Sequence, residues 1–230
     1  MKSYIPNFIT LLNLFSGCVA VIFAFEGNMK LTALFVCLGI FFDFFDGLVA
    51  RKLNVQSELG VQLDSLADMV TSGLVPGLVL FHLLGLTPKF SWDATGLLPY
   101  FGLLVTLASA YRLAKFNIST NQSDAFIGLP TPANALLIIS LPLILEYQNS
   151  EAIHAIILNP WFLLGLTFVS CYLLNSPIKL IALKFKTWNF KDNASRYILI
   201  ILSVTIMSIF QFVGIPFVIL AYIALSIVSK

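Results

Sequence analysis

Long apolar runs alternate with brief polar breaks along this chain, and the runs have the length a bilayer demands. A helix needs about 20 apolar residues to cross the hydrocarbon core. Runs of that kind fall near residues 6–25, 31–50, 60–85, 95–116, 129–146, 153–174, 195–211 and 214–229. The last two are short and joined by Gly214-Ile-Pro216, so they read as one hairpin or one long broken helix. The pattern predicts an all-α, polytopic membrane helix bundle of about eight transmembrane helices. One integral membrane domain is expected over 1–230, with core segments about 5–175 and a C-terminal helical hairpin about 194–230. The first run follows Lys2 as a signal peptide would. It lacks a small-residue cleavage site and carries Asn13 and Ser16, so it reads as a retained span.

Composition sharpens the class. The chain is 59% hydrophobic and only 10% charged, against about 25% charged residues in soluble domains. A net charge of +2 is too small to point to a nucleic-acid partner. Where the positive residues fall matters more. With eight spans and the N-terminus inside, Lys2, Arg51, Lys52, Arg112, Lys115, Lys179, Lys184, Lys186, Lys191, Arg196 and Lys230 face the cytoplasm, and only Lys30 and Lys89 fall outside. Both termini are thus expected in the cytoplasm, in a protein of the cytoplasmic membrane. The stretch Pro177–Trp188 reads as a basic amphipathic helix in the cytoplasmic interface. Cys18, Cys37 and Cys171 have neither metal spacing nor an even count, and read as small buried hydrophobes. His82 and His154 have no Cys or His company and read as structural or exposed.

Against this background four carboxylates stand out: Asp43, Asp46, Asp64 and Asp68, on two consecutive apolar segments. A carboxylate within a bilayer costs roughly 2.5 kcal/mol or more, so four together imply a compensating partner. Asp43, Asp46, Gly47 and Ala50 share one helix face, and Gly60, Asp64 and Asp68 share another. Two antiparallel helices joined by the polar turn around Asn54–Glu58 would aim these faces at each other. Oxygen-only ligands in that number suit a hard divalent cation, Mg²⁺ or Mn²⁺. Gly47, Ala50 and Gly60 leave room for a flat or phosphorylated ligand, and Arg51 offers a fork for phosphate oxygens. The cluster sits at the cytoplasmic ends of its segments.

The run Asp43-Phe-Phe-Asp46-Gly47-Leu-Val-Ala50-Arg51, eight residues, then Gly60-Val-Gln-Leu-Asp64-Ser-Leu-Ala-Asp68 resembles the signature of the CDP-alcohol phosphotransferases at every fixed position. Ile5–Gly17 looks like that family's first-helix pattern. Arg112-Leu-Ala-Lys-Phe-Asn117 and Phe126–Ala135 look like its phosphatidylserine synthase subgroup, with Thr131 and Asn134 standing where other small residues are expected. The resemblance covers about residues 5–135. It implies transfer of the phosphatidyl group from CDP-diacylglycerol to L-serine, giving phosphatidylserine and CMP. It implies two Mg²⁺ or Mn²⁺ ions held by Asp43, Asp46 and Asp64, with Asp68 completing the second site and serving as base for the serine hydroxyl. Gly47, Ala50, Arg51 and Gly60 would line the CDP pocket, and a homodimer is implied.

Arg112 is read either as a positive-inside anchor or as the group that grips the serine carboxylate, and Asn117 as a helix end or a substrate contact. Another alcohol acceptor, such as glycerol phosphate, is the alternative within the family. Outside it stand a prenyltransferase, whose acidic motifs come in two separated copies, and a transporter, which would spread its carboxylates along a path. This chain has one contiguous acidic cluster.

Overall fold

The computed structural model describes residues 4–88, 96–118, 125–148, 150–181 and 190–228, and these are almost entirely helical. Helices α1 (Tyr4–Phe25) and α2 (Met29–Leu53) pack along each other as a hairpin. The Asn28 side chain starts α2 by accepting from Leu31 N at 3.2 Å. Asn54 ends it in the left-handed conformation at φ 53°, which Asn tolerates better than most residues. Three residues later the Ser57 hydroxyl caps α3 (Glu58–Asp68) by accepting from Gly60 N at 3.1 Å. A short polar turn therefore reverses the chain between the two aspartate pairs, as the sequence leads one to expect.

Helix α3 does not stop at Asp68. It runs through a π-turn, Met69–Leu74, into α4 (Val75–Leu86), and Val75 N donates five residues back to Val70 O. The cause is local. Pro76 has no N–H to give the Ser72 carbonyl, and a wider turn absorbs the lost bond. Small residues let the π-turn cross α1 and α2 closely. A Cβ on Gly17 would meet the Thr71 backbone at 3.1 Å, and one on Gly39 would meet Asn13 Oδ1 at 2.8 Å. The apolar core lies just beyond, where Val36, Val79, Leu83, Ile138 and Leu163 are wholly or almost wholly buried.

A 3₁₀ turn (Leu98–Leu103) leads into α5 (Leu104–Ile118). After strand β1 (Ala125–Ile127) come α6 (Thr131–Tyr147), α7 (Glu151–Ile157), α8 (Pro160–Asn175) and strand β2 (Lys179–Ile181). The chain ends in α9 (Phe190–Phe210), a 3₁₀ turn and α10 (Gly214–Val228). That last turn is tight: Gln211 has φ 49°, and a Cβ on Gly214 would lie 3.0 Å from Ile206 O. Helices α9 and α10 pack against each other, and α10 also reaches α6 and β2.

Two expectations are met only in part. First, each expected apolar run carries helix, and among the described residues four segments are long and apolar enough to cross a membrane: Tyr4–Phe25, Met29–Leu53, Glu58–Leu86 and Asn193–Val228. A fifth is gained if α7 and α8, bent by 56°, count as one span. Pro160, which lacks an N–H, accounts for that bend, and α6 has only 17 residues. Second, Pro177–Trp188 does not begin as an interfacial helix. Lys179–Ile181 forms a strand antiparallel to Ala125–Ile127, with Phe126 opposite Leu180. Long-range partners satisfy this backbone: Gly128 N donates to Ile178 O, Ile181 N to Ser226 Oγ and Tyr222 Oη to Ile181 O, at 2.9–3.1 Å. Residues 182–189 lie outside the described part, as do Lys2, Lys89, Trp92 and Lys230.

Candidate active site

The α2–α3 reversal brings the aspartates together. One carboxylate oxygen from each of Asp43, Asp46 and Asp64 lies within 4.8 Å of the others. Helix α1 supplies the polar neighbours. Thr10 Oγ1 donates to Asp46 Oδ2, and Asn13 Nδ2 donates to Asp68 Oδ1 at 3.3 Å. Thr10 and Asn13 are three residues apart and face the same way. Asn13 is fully buried, and its backbone carbonyl accepts from Thr71 Oγ1 at 3.2 Å. That ties α1 to the π-turn just beyond Asp68. The sequence placed Thr10 and Asn13 in a family pattern without giving them a task. Their signal was two polar residues on one face of an apolar run.

Asp64 Oδ1 is buried and has no hydrogen-bond partner among the described residues. Three converging carboxylates with an orphaned oxygen form a donor set that fits a hard divalent cation. Asp68 is not one of those three but lies within electrostatic reach of them. It is only 9% exposed, bonded to Asn13, and within electrostatic reach of Arg112 on α5.

A cavity of about 440 Å³ opens beside the trio. Gly47, Ala50, Arg51 and Gly60 all line it, together with Asp46, Asp64 and the Pro6–Thr10 stretch of α1. The Arg51 guanidinium folds back over Gly47, where an added Cβ would be 3.7 Å from Nη1. The space is large enough for a substantial ligand, since small-molecule pockets run from about 300 to 1,000 Å³.

Arg112 and Asn117 do not share a site. Arg112 is 9% exposed, its Nε is buried without a partner among the described residues, and it lines a second cavity of about 70 Å³ with Lys115, Phe116, Ile127, Leu174, Asn175 and Ser176. Five residues along the helix, Asn117 points elsewhere. It accepts from Ser65 Oγ at 3.0 Å and donates to Gln62 Oε1 at 3.1 Å, joining α5 to α3. Of the second expected stretch, Gly128 adopts φ 73° against the end of α8, where a Cβ would lie 3.1 Å from Leu173 O. Asn134 is fully buried on α6 with both amide atoms unpartnered. His82 lies at the other end of the bundle, in a cavity with Glu26, Lys30 and Glu146, and His154 meets Gln148 O at 3.0 Å.

The family model for CDP-alcohol phosphatidyltransferase matches residues 3–172. The chain belongs to that family. Among its relatives is a CDP-diacylglycerol–serine O-phosphatidyltransferase of Bacillus subtilis, 36% identical over 143 residues, covering 60% of this chain and 75% of that one. One of the same name from Methanocaldococcus jannaschii is 32% identical over 166 residues, covering 72% of this chain and 71% of the relative. A third, from Helicobacter pylori, is 35% identical over 136 residues. The match covers 58% of this chain and only 55% of that longer relative. All four aspartates and Arg112 fall inside the family match, whereas Asn175, Ser176 and Tyr222 fall beyond it.

Proposed function

We propose that this chain transfers the phosphatidyl group of CDP-diacylglycerol to the hydroxyl of L-serine, forming phosphatidylserine and CMP. The observation that carries the choice of acceptor is Arg112: a buried guanidinium with an unpartnered Nε, beside a small cavity and within electrostatic reach of Asp68. It is suited to an acceptor with a carboxylate at one end and a hydroxyl at the other. The names of the relatives point to the same substrate pair.

The donor lies in the large cavity, its diphosphate toward Asp46 and Asp64 and within reach of Arg51, its acyl chains left in the bilayer. Asp43, Asp46 and Asp64 would hold Mg²⁺ or Mn²⁺, two ions with Asp68 completing the second site; bound there, the metal neutralises charge on the diphosphate. Gly47, Ala50 and Gly60 keep the cavity wall low enough for the nucleotide to approach. Serine enters beside Arg112 and presents its hydroxyl to Asp68. Its oxygen attacks the phosphatidyl phosphorus, the bond from that phosphorus to the CMP oxygen breaks, and the hydroxyl proton passes to Asp68. Among the described residues, no Cys, Ser or His lines the large cavity apart from the capping Ser57, which favours a single displacement over a covalent intermediate. On this reading the site and both termini lie at the cytoplasmic face of the cytoplasmic membrane, which the expected excess of Lys and Arg on that side supports, and the active protein is a homodimer, as the family resemblance implies.

The test is an assay of purified protein with CDP-diacylglycerol, a divalent cation and a panel of serine, glycerol phosphate and inositol phosphate, reading CMP release. Serine-dependent release is expected. Release with glycerol phosphate and not serine overturns the acceptor assignment, and no release with any acceptor overturns the reaction.

A further inference from the structure

Asn175, which also lines the small cavity beside Arg112, carries a second buried polar atom without a partner among the described residues. Asn175, at the end of α8, donates through Nδ2 to Ala108 O at 3.1 Å and to Cys171 O at 3.4 Å. Two carbonyl acceptors on that side decide which end of the amide is the nitrogen. Oδ1 is then the other end, and it is buried with no hydrogen-bond partner among the described residues. A buried acceptor left unpaired costs roughly 1–3 kcal/mol. Ala108 is one helical turn before Arg112 on α5, so the same bond pins the end of α8 over the face that carries Arg112.

The residues around the cavity therefore carry, in Arg112 Nε and Asn175 Oδ1, a buried donor and a buried acceptor that have no partner among the described residues. Its volume is about 70 Å³. One water takes about 10–15 Å³ of such space, so a solute of roughly half a dozen heavy atoms is the right scale. We infer that Asn175 Oδ1 receives the ammonium group of the amino-acid acceptor while Arg112 holds its carboxylate. This rests on the serine reading proposed above and makes Asn175 a specificity-determining residue. An ammonium brings three donors and no acceptor, which is what Oδ1 lacks. A sugar phosphate or glycerol phosphate has no cation to offer and meets the oxygen with a neutral hydroxyl at best, a weaker bond than an ammonium makes.

The experiment compares L-serine with 3-hydroxypropanoate, which keeps the hydroxyl and carboxylate and lacks the ammonium. The quantity read is the ratio of their kcat/KM values, which does not depend on how much protein folds. Wild type should favour serine. Asn175→Ala should cut that preference at least tenfold, through serine KM, with the KM for CDP-diacylglycerol unchanged. An unchanged preference overturns the inference and makes Asn175 a brace between α8 and α5. Because Asn175→Ala also loses two bonds to backbone, Asn175→Asp is the second variant. It keeps an acceptor oxygen and should widen the preference for serine; a preference that fails to widen, or two inert variants, counts against the inference. Absence of serine turnover in the wild type is a different failure, that of the acceptor assignment itself.

Discussion

The large cavity lined by Arg51 and the small one lined by Arg112 are made from different parts of the chain. The first is built from α1 and from α2, α3 and the turn between them, all within residues 6–64. The second draws on α5, β1 and α8, between residues 112 and 176, and β2 is braced from α10 by Tyr222 and Ser226. The difference separates what a family shares from what a member chooses. On the proposed reading a common CDP-linked donor would be served by one continuous stretch with fixed spacing. The acceptor would be served by side chains brought together over long separations, partly beyond the family match.

The largest expected effect falls on the donor side. Chelation should abolish turnover, and Mg²⁺ or Mn²⁺ should restore it. The same ions should raise the thermal midpoint of wild type and leave that of Asp64→Asn unmoved. Full activity in excess EDTA would remove the metal from the scheme.

Asp68 tests the boundary between the two sides. Asp68→Asn should lower kcat by about 10²–10⁴, the usual share of a general base, while affinity for CDP-diacylglycerol changes little. Asp43→Asn and Asp64→Asn should weaken metal and donor binding together. Equal loss of donor affinity in all three variants would make Asp68 a ligand and nothing more.

How far these assignments were visible beforehand follows the same divide. Asp46, Gly47, Ala50, Arg51, Gly60 and Asp64 lie in one linear run whose helical phase can be read directly, and they line one cavity. The turn between them was legible because Asn54 and Ser57 are residues that end and start helices. Arg112 could be singled out as a charge at the end of an apolar run, but its neighbours could not. Asn175 meets Ala108 across 67 residues, and no local pattern announces that pairing. Asn117 looked equivalent to Arg112 in sequence, yet five residues of helix turn it toward Gln62 and Ser65. The strand at Lys179–Ile181 was hidden for the same reason: its partners sit at Ala125–Ile127 and on α10. The basic, amphipathic pattern there spoke only for the local preference.

Two smaller effects would sharpen the contrast on the acceptor side. Arg112→Lys should raise the KM for serine about tenfold, worth roughly 1.4 kcal/mol, because an ammonium cannot copy the two-pronged grip of a guanidinium. The KM for CDP-diacylglycerol should stay put; if serine KM does not move either, Arg112 is an anchor. Asn117→Ala should be the mildest, costing about 1 kcal/mol of stability for each lost hydrogen bond, seen as a lower melting temperature with serine KM preserved. A raised serine KM in that variant would return Asn117 to the acceptor site.

The bonds from Tyr222 and Ser226 to Ile181 set an order on the making of this protein. Chains are synthesised from the N-terminus, and early parts fold before late ones exist. The stretch proposed to handle the nucleotide lipid is complete once α3 has emerged, whereas β2 waits for α10 to be threaded into the bilayer. On that proposal a nascent chain acquires the means to hold an activated lipid well before β2, the partner of β1 beside the small cavity, is pinned. Loss of α10 during biogenesis should leave a protein that still binds the donor and has lost its discrimination between acceptors.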